Sequence, residues 1–329
     1  MLSLLLLLAC GTEPSAPVDP SEDRPHSHST PVSKGLRAQL GMARLQRSEL
    51  DPVLGAPLDY EHHRVFPLSL QVFEGFRISG ALYVPKSNGP YPGIVMAHGH
   101  FGEGKSSGEA QAPSHALAHQ GYMVLAMDTP GVEEGDTPER QIHHESGRKN
   151  RAALEEAGTT AMAVQLHGLQ AALDYLEKRG DVRWFAAIGA SGGAVQSFYL
   201  SHIDARIQAV GMASFVPMPR LQQADGCSCD WIGGPWPHDL IAALKIPSLW
   251  MSEGAEIRPP TLGSNGHFVL HEGPHGFERP MIDSLADWLA RTVPNFQPHR
   301  SLPDQLPHSP STALASSSVG AAGIVDILQ

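Results

Sequence analysis

Cysteine is scarce in this chain, with only three residues among 329. Two of them form Cys227-Ser228-Cys229, where a disulfide across a single intervening residue would be strained. We therefore interpret this pair as a structural feature of a loop. The alternative is a redox role, which an oxidising compartment would permit.

Positive charge is also in short supply. Lys and Arg total 23 against 34 Asp and Glu, which gives a net charge of −11. The sequence contains no basic patch and no interleaving of basic with aromatic residues. Both absences argue against nucleic acid as a partner.

Long apolar runs are missing except for one at the start of the sequence. The run from Met1 to Ala9 is too short to span a bilayer and resembles the apolar core of a secretion signal. It leads into Leu7-Leu8-Ala9-Cys10, which resembles a bacterial lipobox, although no Lys or Arg precedes the run. We expect residues 1–10 to be a lipoprotein-type signal and Cys10 to be lipidated, with the protein exported and anchored in a bacterial cell envelope. The alternative is a chance run of leucines.

Composition divides the rest of the chain into three segments. Residues 11–34 are rich in Pro, Ser and acidic residues, which is typical of a flexible tether. Residues 297–329 are rich in Ser, Ala and Gly, and we expect a disordered, low-complexity tail. Residues 35–296 have the apolar content of a folded domain and enough length for a substantial core.

Apolar strand-like runs alternate with helical patterns between residues 65 and 292. This alternation predicts an α/β fold, a mostly parallel sheet with helices on both faces. Residues 66–73 and 78–84 are predicted to form an antiparallel entry hairpin, and residues 159–178 the clearest helix. Two long irregular stretches remain, 129–154 and 217–239, and loops of this length usually shape a binding site.

A glycine-rich pentapeptide, Gly189-Ala190-Ser191-Gly192-Gly193, lies between an apolar run and a helical pattern. Gly-x-Ser-x-Gly in this setting predicts a sharp strand-to-helix turn, where a Cβ at the flanking positions would clash. The turn holds the Ser191 hydroxyl clear of the sheet, at a helix N-terminus whose N–H groups stabilise an oxyanion. Ser191 is therefore our candidate nucleophile. The alternative is a turn with no catalytic role.

A serine nucleophile needs a base and an orienting carboxylate, which follow it in the chain order Ser, acid, His. We expect the acid in the turn after the apolar stretch at residues 246–251. Glu256 is our choice because of its Gly-x-acid-x-x-Pro setting, and Glu253 is the alternative. His275, in the loop before the last helical pattern, is the expected general base. His271 is a weaker candidate because it lies at a strand end.

The second oxyanion donor is expected from the loop after the apolar run at residues 91–97. We expect an N–H near His100 or Phe101 to lie opposite the N–H of Gly192. His98 and His100 also form a potential metal pair. No third ligand occurs at a recognisable spacing, so we expect neither a metal nor a cofactor.

Together these residues resemble the α/β-hydrolase superfamily, and within it bacterial acetyl xylan esterase-like and dienelactone hydrolase-like esterases. The resemblance covers roughly residues 65–293, and its further motifs are His98-Gly99-His100 with Gly104-Lys105, residues 161–166 and residues 226–229. It implies a cofactor-free hydrolase of carboxylic esters, with acetyl or other short-acyl esters of small molecules or carbohydrates as expected substrates. Dienelactone hydrolases proper have a Cys nucleophile, so Ser191 points to ordinary esters. Asp is the commoner acid in this group, so a Glu departs from its pattern.

Two tryptophans, Trp231 and Trp236, follow the sixth predicted strand, where this fold commonly inserts a lid. Their flat faces suit a sugar or an aromatic alcohol, which makes them the candidate substrate pocket. The alternative is that both pin the loop to the domain and that specificity resides in residues 129–154. Two other functions stay open. One is a serine peptidase of the same fold, and the other is a non-catalytic envelope lipoprotein on a hydrolase scaffold.

Overall fold

The computed structural model describes residues 31–100, 102–215, 232–234, 240–253, 262–316, 319–320 and 322–328. Within these ranges the strands are Val53–Leu54 (β1), Leu58–Asp59 (β2), His63–Phe73 (β3), Phe76–Pro85 (β4), Tyr91–Ala97 (β5), Met123–Met127 (β6), Val182–Ala190 (β7), Ala209–Ala213 (β8), Ser248–Ser252 (β9) and Gly266–Leu270 (β10). The α-helices are Pro31–Leu40 (α1), Gly108–Gln120 (α2), Arg148–Glu156 (α3), Ala161–Lys178 (α4), Gly192–Ile203 (α5), Leu240–Ala243 (α6), Arg279–Thr292 (α7) and Ser311–Leu314 (α8).

All ten strands form a single sheet in the order β1-β3-β4-β6-β5-β7-β8-β9-β10, with β2 paired to β3. β3 and β4 form the predicted antiparallel hairpin, and β4 also runs antiparallel to β6. Every pairing from β6 through β10 is parallel. The carboxyl ends of these six parallel strands therefore meet at one edge of the sheet, where ligands bind in open α/β folds.

Helices cover both faces of the sheet, as predicted. One buried apolar cluster contains residues of α1, α4 and α5, such as Leu40, Leu166 and Phe198. The other contains residues of α2 and α7, such as Leu117 and Leu285. Alternate residues of one strand serve the two clusters, because successive side chains in a strand point to opposite faces. None of the helices in the described ranges combines the length and apolar character needed to cross a bilayer.

Helix α4 shows how closely local sequence signals set the element bounds. It begins after Thr160, whose side chain accepts a hydrogen bond from the Ala163 N–H at 3.1 Å, the usual N-cap arrangement. It ends at Lys178, and Gly180 follows with a φ of 77°, the left-handed conformation that terminates many helices. The predicted span of 159–178 is therefore confirmed to within two residues.

The two ends of the domain differ from the sequence prediction. α1 begins at Pro31, so the predicted tether, residues 11–34, overlaps the fold at its last residues. Residues 1–30, including Cys10, lie outside the described part of the chain.

Residues of the segment 297–329, which the sequence predicts to be a disordered tail, make specific contacts with the domain where the structure describes them. Ser309 exchanges two hydrogen bonds with the side chain of Gln111, at 2.7 and 2.9 Å. Leu314 and Ile324 are fully buried, and the Ile324 N–H donates to the Glu139 carbonyl at 2.8 Å. Composition carries no sign of these contacts, because they depend on the buried side chain of Gln111 and on a few apolar anchors. We call the described residues 309–316, 319–320 and 322–328 the C-terminal strap.

Candidate active site

Ser191 lies at the turn between β7 and α5, where the sequence predicts the nucleophile. Its φ of 55° and ψ of −120° are unusual for a residue with a side chain, and such strain costs about 1–3 kcal/mol. The Ser191 N–H donates to the Ala213 carbonyl at the end of β8, at 2.9 Å. The turn is thus held by the neighbouring strand in a conformation that lifts the side chain away from the sheet.

The glycines that flank Ser191 allow helix α5 to start very close to the sheet. A Cβ at Gly189 would clash with the backbone of Gly193, and a Cβ at Gly193 would clash with the backbone of Ala97 at the end of β5. This close approach is the packing that the pentapeptide predicts. As a result, the N-terminus of α5 points at the same edge as the loop after β5.

The carboxylate that the structure brings to His275 belongs to Glu253. His275 Nδ1 lies 2.6 Å from Glu253 Oε1, and Nδ1 is the donor since an ionised carboxylate only accepts. Glu253 directly follows β9, and its side chain is 14% exposed. Glu256, the predicted partner, lies outside the described residues. Among the described residues, Glu253 is therefore the acid that meets His275, and it accepts the one Nδ1 proton of that ring.

Ser214 is a site residue that the sequence analysis missed. Its Oγ donates to Glu253 Oε2 at 2.7 Å and accepts a hydrogen bond from the Gly276 N–H at 3.0 Å. It directly follows β8, so its position after a strand at the carboxyl edge was the available signal. Burial opposes ionisation of Glu253, but the hydrogen bonds from Ser214 and His275 outweigh it and lower the pKa of Glu253 below its ordinary value.

A second carboxylate holds the loop that follows His275. Glu109, in the first turn of α2, accepts a hydrogen bond from the Phe277 N–H. Gly276 has a φ of 132°, and a Cβ there would overlap the Glu109 carboxylate. Burial raises the pKa of Glu109.

His271, the alternative base, directly follows β10. Its backbone N–H donates to the Ser252 carbonyl at 2.8 Å. It is not the histidine that meets Glu253.

The predicted oxyanion region contains the side chain of His100 as well as its backbone. A Cβ placed on Gly192 would lie 2.7 Å from His100 Cε1 and 2.9 Å from Nδ1, so this imidazole covers Gly192. Burial and the nearby imidazoles of His144 and His98 lower the pKa of His100 to about 4. The ring is therefore neutral at pH 7. Phe101 lies outside the described residues.

His98 positions the loop and has no nitrogen left for a metal. Its Nδ1 donates to the Gly99 carbonyl at 2.6 Å, and its Nε2 accepts from the Thr129 N–H at 3.1 Å. The hydroxyl of Thr129 in turn lies 2.6 Å from His143 Nε2. These contacts fix the loop after β5 against the loop after β6.

One group of carboxylates in the described ranges has the spacing of a metal site, namely Asp128, Glu133 and Glu134. The ammonium group of Lys105 already lies among them, with its Nζ at 2.8, 2.5 and 2.9 Å from the three side chains. The Lys105 side chain is fully buried, and the carboxylates raise its pKa against the opposing effect of burial. The group is thus an internal ion cluster that anchors the loop after β6.

A cleft of about 130 Å³ opens beside His100. Its opposite wall is the loop after β6, and its polar lining comprises His100, Asp136, Gln141, His143, His144 and Ser146. This is the stretch 129–154 that the sequence analysis gave as the alternative location of specificity. Trp231 and Trp236, the first choice, lie outside the described residues, as do Cys227 and Cys229.

The C-terminal strap is hydrogen-bonded to this wall. The Ser316 N–H donates to Glu134 Oε1 at 2.9 Å, and Arg140 Nη1 donates to the Val319 carbonyl at 2.8 Å. The Ile324 N–H also donates to the Glu139 carbonyl. All three contacts lie on residues 134–140, a stretch that includes Asp136 of the cleft lining. The wall is therefore held in part by a segment that is distant from it in sequence.

Known proteins share both sequence and structural features with this chain. Residues 78–227 match the model of the dienelactone hydrolase family. No curated protein matches the chain in sequence. Similar solved structures include methylesterase BT1017, at 22% identity over 91% of this chain and 69% of that chain with a TM-score of 0.70. Acetyl xylan esterase 1 from Thermoanaerobacterium sp. JW/SL YS485 has 13% identity over 80% and 94% of the two chains, with a TM-score of 0.60. An acetyl xylan esterase from Paenibacillus sp. R4 has 16% identity over 79% and 92%, with a TM-score of 0.55.

The structural neighbours confirm the α/β-hydrolase fold, and the family model confirms the resemblance to dienelactone hydrolases. At such low identities the structural similarity establishes the fold alone, since one fold hosts many chemistries. The match to the dienelactone hydrolase family over residues 78–227 favours a hydrolase.

Proposed function

We propose that this protein is a serine hydrolase that cleaves carboxylic esters through an acyl-enzyme, with Ser191, His275 and Glu253 as its triad. The observation that carries the proposal is the Glu253–His275 hydrogen bond at the same sheet edge as the strained Ser191 turn. An acid-oriented histidine and a serine at a helix N-terminus are the two parts that acyl transfer requires.

The reaction proceeds in two halves. His275 Nε2 takes the proton of the Ser191 hydroxyl as the oxygen attacks the ester carbonyl, and the Glu253 carboxylate stabilises the imidazolium through Nδ1. The Gly192 N–H and a donor of the loop at His100 hold the oxyanion. The C–O bond to the alcohol then breaks, and His275 returns its proton to the leaving oxygen. Water attacks the acyl-enzyme with His275 again as base, which releases the acid and restores the serine.

Turnover of a panel of chromogenic acyl esters and aminoacyl amides by the whole chain tests this proposal. We expect hydrolysis of the esters, with short acyl groups preferred. Turnover of the amides alone would favour the alternative of a serine peptidase. Failure to turn over either class, together with failure to react with a fluorophosphonate, would favour a non-catalytic lipoprotein.

The polar cleft beside His100 is the proposed site for the non-reacting part of the substrate. Its imidazole, amide, hydroxyl and carboxylate groups suit a hydroxylated ligand better than an apolar one. Several neighbours are named for esterases of carbohydrates, such as acetyl xylan. A carbohydrate ester is therefore the substrate class that the lining favours.

We expect the His144→Ala variant to change the relative kcat/KM by about tenfold across esters that differ in their alcohol, or roughly 1.4 kcal/mol of differential transition-state binding. His144 lines the cleft, so its loss alters contacts to the substrate and not the triad. The matched control is His267→Ala, which removes an exposed imidazole on β10. An equal loss on all esters, or the same change in both variants, would show that specificity resides elsewhere.

We further propose that Cys10 carries a lipid anchor and that residues up to about 30 tether the domain to a bacterial envelope. The lipobox-like Leu7-Leu8-Ala9-Cys10 supports this proposal. Expressed in a bacterium, the protein should partition with membranes, and Cys10→Ala should release it or leave it unprocessed. Stable anchoring takes more than one acyl chain, so mass spectrometry should find several. A cytosolic protein that retains an unmodified Met1 would overturn the anchor.

A further inference from the structure

We propose that Ser214 is a positioning residue of this active site, whose hydroxyl holds the Glu253 carboxylate and the His275 loop in a fixed mutual orientation. The proposal rests on the triad assignment above. Ser214 touches neither the reacting serine nor the imidazole in the described contacts, so it acts through Glu253 and through the backbone of the loop.

The Ser214 hydroxyl has one proton, and the distances show where it goes. Oγ lies 2.7 Å from Glu253 Oε2, and 3.3 Å from the carbonyl oxygen of Gly276. The proton is therefore donated to the carboxylate, where a charge-assisted bond is stronger. A lone pair of the same oxygen accepts the Gly276 N–H at 3.0 Å. One hydroxyl thus bonds to the acid and to the residue next to the catalytic histidine.

This bridge determines the rotation of the carboxylate. Glu253 Oε1 receives the bond from His275, and Oε2 receives the bond from Ser214. With both oxygens bonded, the carboxylate plane is fixed, and the lone pair that meets Nδ1 keeps its direction. Without Ser214, the carboxylate can turn about its terminal torsion, which has only broad minima.

The backbone of Ser214 is itself tied to the strands that carry the other site residues. Its N–H donates to the Met251 carbonyl of β9 at 2.8 Å, two residues before Glu253. The preceding residue, Ala213, accepts the Ser191 N–H at 2.9 Å. Ser214 also has a φ of 53°, a left-handed conformation that persists in non-glycine residues where the surroundings enforce it. It is fully buried, so its hydroxyl serves these partners and not solvent.

Two variants remove the Ser214 hydroxyl and differ in the backbone strain that they leave. Ser214→Ala keeps a Cβ at the left-handed position, whereas Ser214→Gly relieves its strain. The Gly variant therefore guards against a simple failure to fold. Ser114→Ala is the matched control, because it removes an equally buried hydroxyl whose described bond stays within α2. Ser214→Thr retains a hydroxyl and tests rescue.

We expect kcat for ester hydrolysis to fall about 10–100-fold in Ser214→Ala and in Ser214→Gly, the range typical when a supporting hydrogen bond behind a functional side chain is removed. KM should stay nearly constant, since no substrate contact is lost. Ser214→Thr should recover part of kcat, and Ser114→Ala should match the wild type. An unchanged kcat in the folded Ala and Gly variants, or a rise in KM alone, would overturn the proposal.

A measurement without substrate separates this inference from the triad assignment. The proton between His275 Nδ1 and Glu253 should give a strongly downfield proton NMR signal in the wild type, since the bond is short. We expect this signal to broaden or move in Ser214→Ala and Ser214→Gly but not in Ser114→Ala. If the wild type hydrolyses no ester, the proposed function fails, yet the signal still tests the bridge. A signal identical in all variants would refute the positioning role.

Discussion

The Ser191→Ala variant should lose ester turnover by on the order of 10⁴-fold or more, because members of a catalytic triad act as a unit. It should also lose covalent labelling by a fluorophosphonate, which reacts only with an activated serine. The reason lies in the turn between β7 and α5, where the backbone holds this hydroxyl at a helix N-terminus. Steady-state kinetics and mass spectrometry of the labelled protein provide the two measurements.

A second serine on the same helix provides the control for this result. Ser197 on α5 is fully buried, and its hydroxyl has no hydrogen-bond partner among the described residues. Ser197→Ala should therefore keep both turnover and labelling. Labelling that persists in Ser191→Ala would place the nucleophile elsewhere. A parallel loss in both variants would mean that α5 had been disturbed.

Glu253→Gln is expected to reduce kcat by on the order of 10³–10⁴-fold, as replacements of the orienting acid do in other serine hydrolases. The amide has nearly the same shape, so packing against Ser214 and His275 is kept. It carries no charge to stabilise the imidazolium, however, and its NH₂ group can force the wrong tautomer on the ring. The kinetics of purified variants on one chromogenic ester provide the measurement.

The same substitution three residues later discriminates between the two candidate acids. Glu256→Gln should leave kcat close to that of the wild type, since Glu253 already meets His275 at 2.6 Å. A large loss in Glu256→Gln with little loss in Glu253→Gln would restore the choice made from sequence.

The low pKa of Glu253 sets the sign of the pH effect. The Glu253 carboxylate therefore stays charged at pH values near the ordinary pKa of a carboxyl group. Its stabilisation of the His275 imidazolium is lost only as the pH falls through the lowered pKa.

Signals that depend on local backbone geometry could be predicted from the sequence. Gly189 and Gly193 predict a tight strand-to-helix turn in which a Cβ would clash. The structure has that turn. The hairpin of β3 and β4 and the bounds of α4 likewise follow from alternation, periodicity and capping. In each case a few neighbouring residues determine the outcome, so their pattern is sufficient.

Features that depend on contacts between distant segments could not be predicted in the same way. Glu253 and Glu256 are both acids after the same strand, and their sequence setting does not contain the contact that His275 makes with Glu253. Ser214 is a single serine with no motif, and its role needs β8, β9 and the loop after β10 together. The C-terminal strap looked disordered because its order comes from Gln111 and other residues far away in the chain.

The C-terminal strap also bears on the order in which the molecule matures during synthesis. Chains emerge from the ribosome N-terminus first, so the turn at Ser191 and its sheet leave the ribosome well before residues 309–328. A nascent chain can then hold its nucleophile while the wall at Glu134, Glu139 and Arg140 still lacks its support. The hydrogen bonds from the C-terminal strap to this wall therefore form only after the sheet and the turn at Ser191 have left the ribosome.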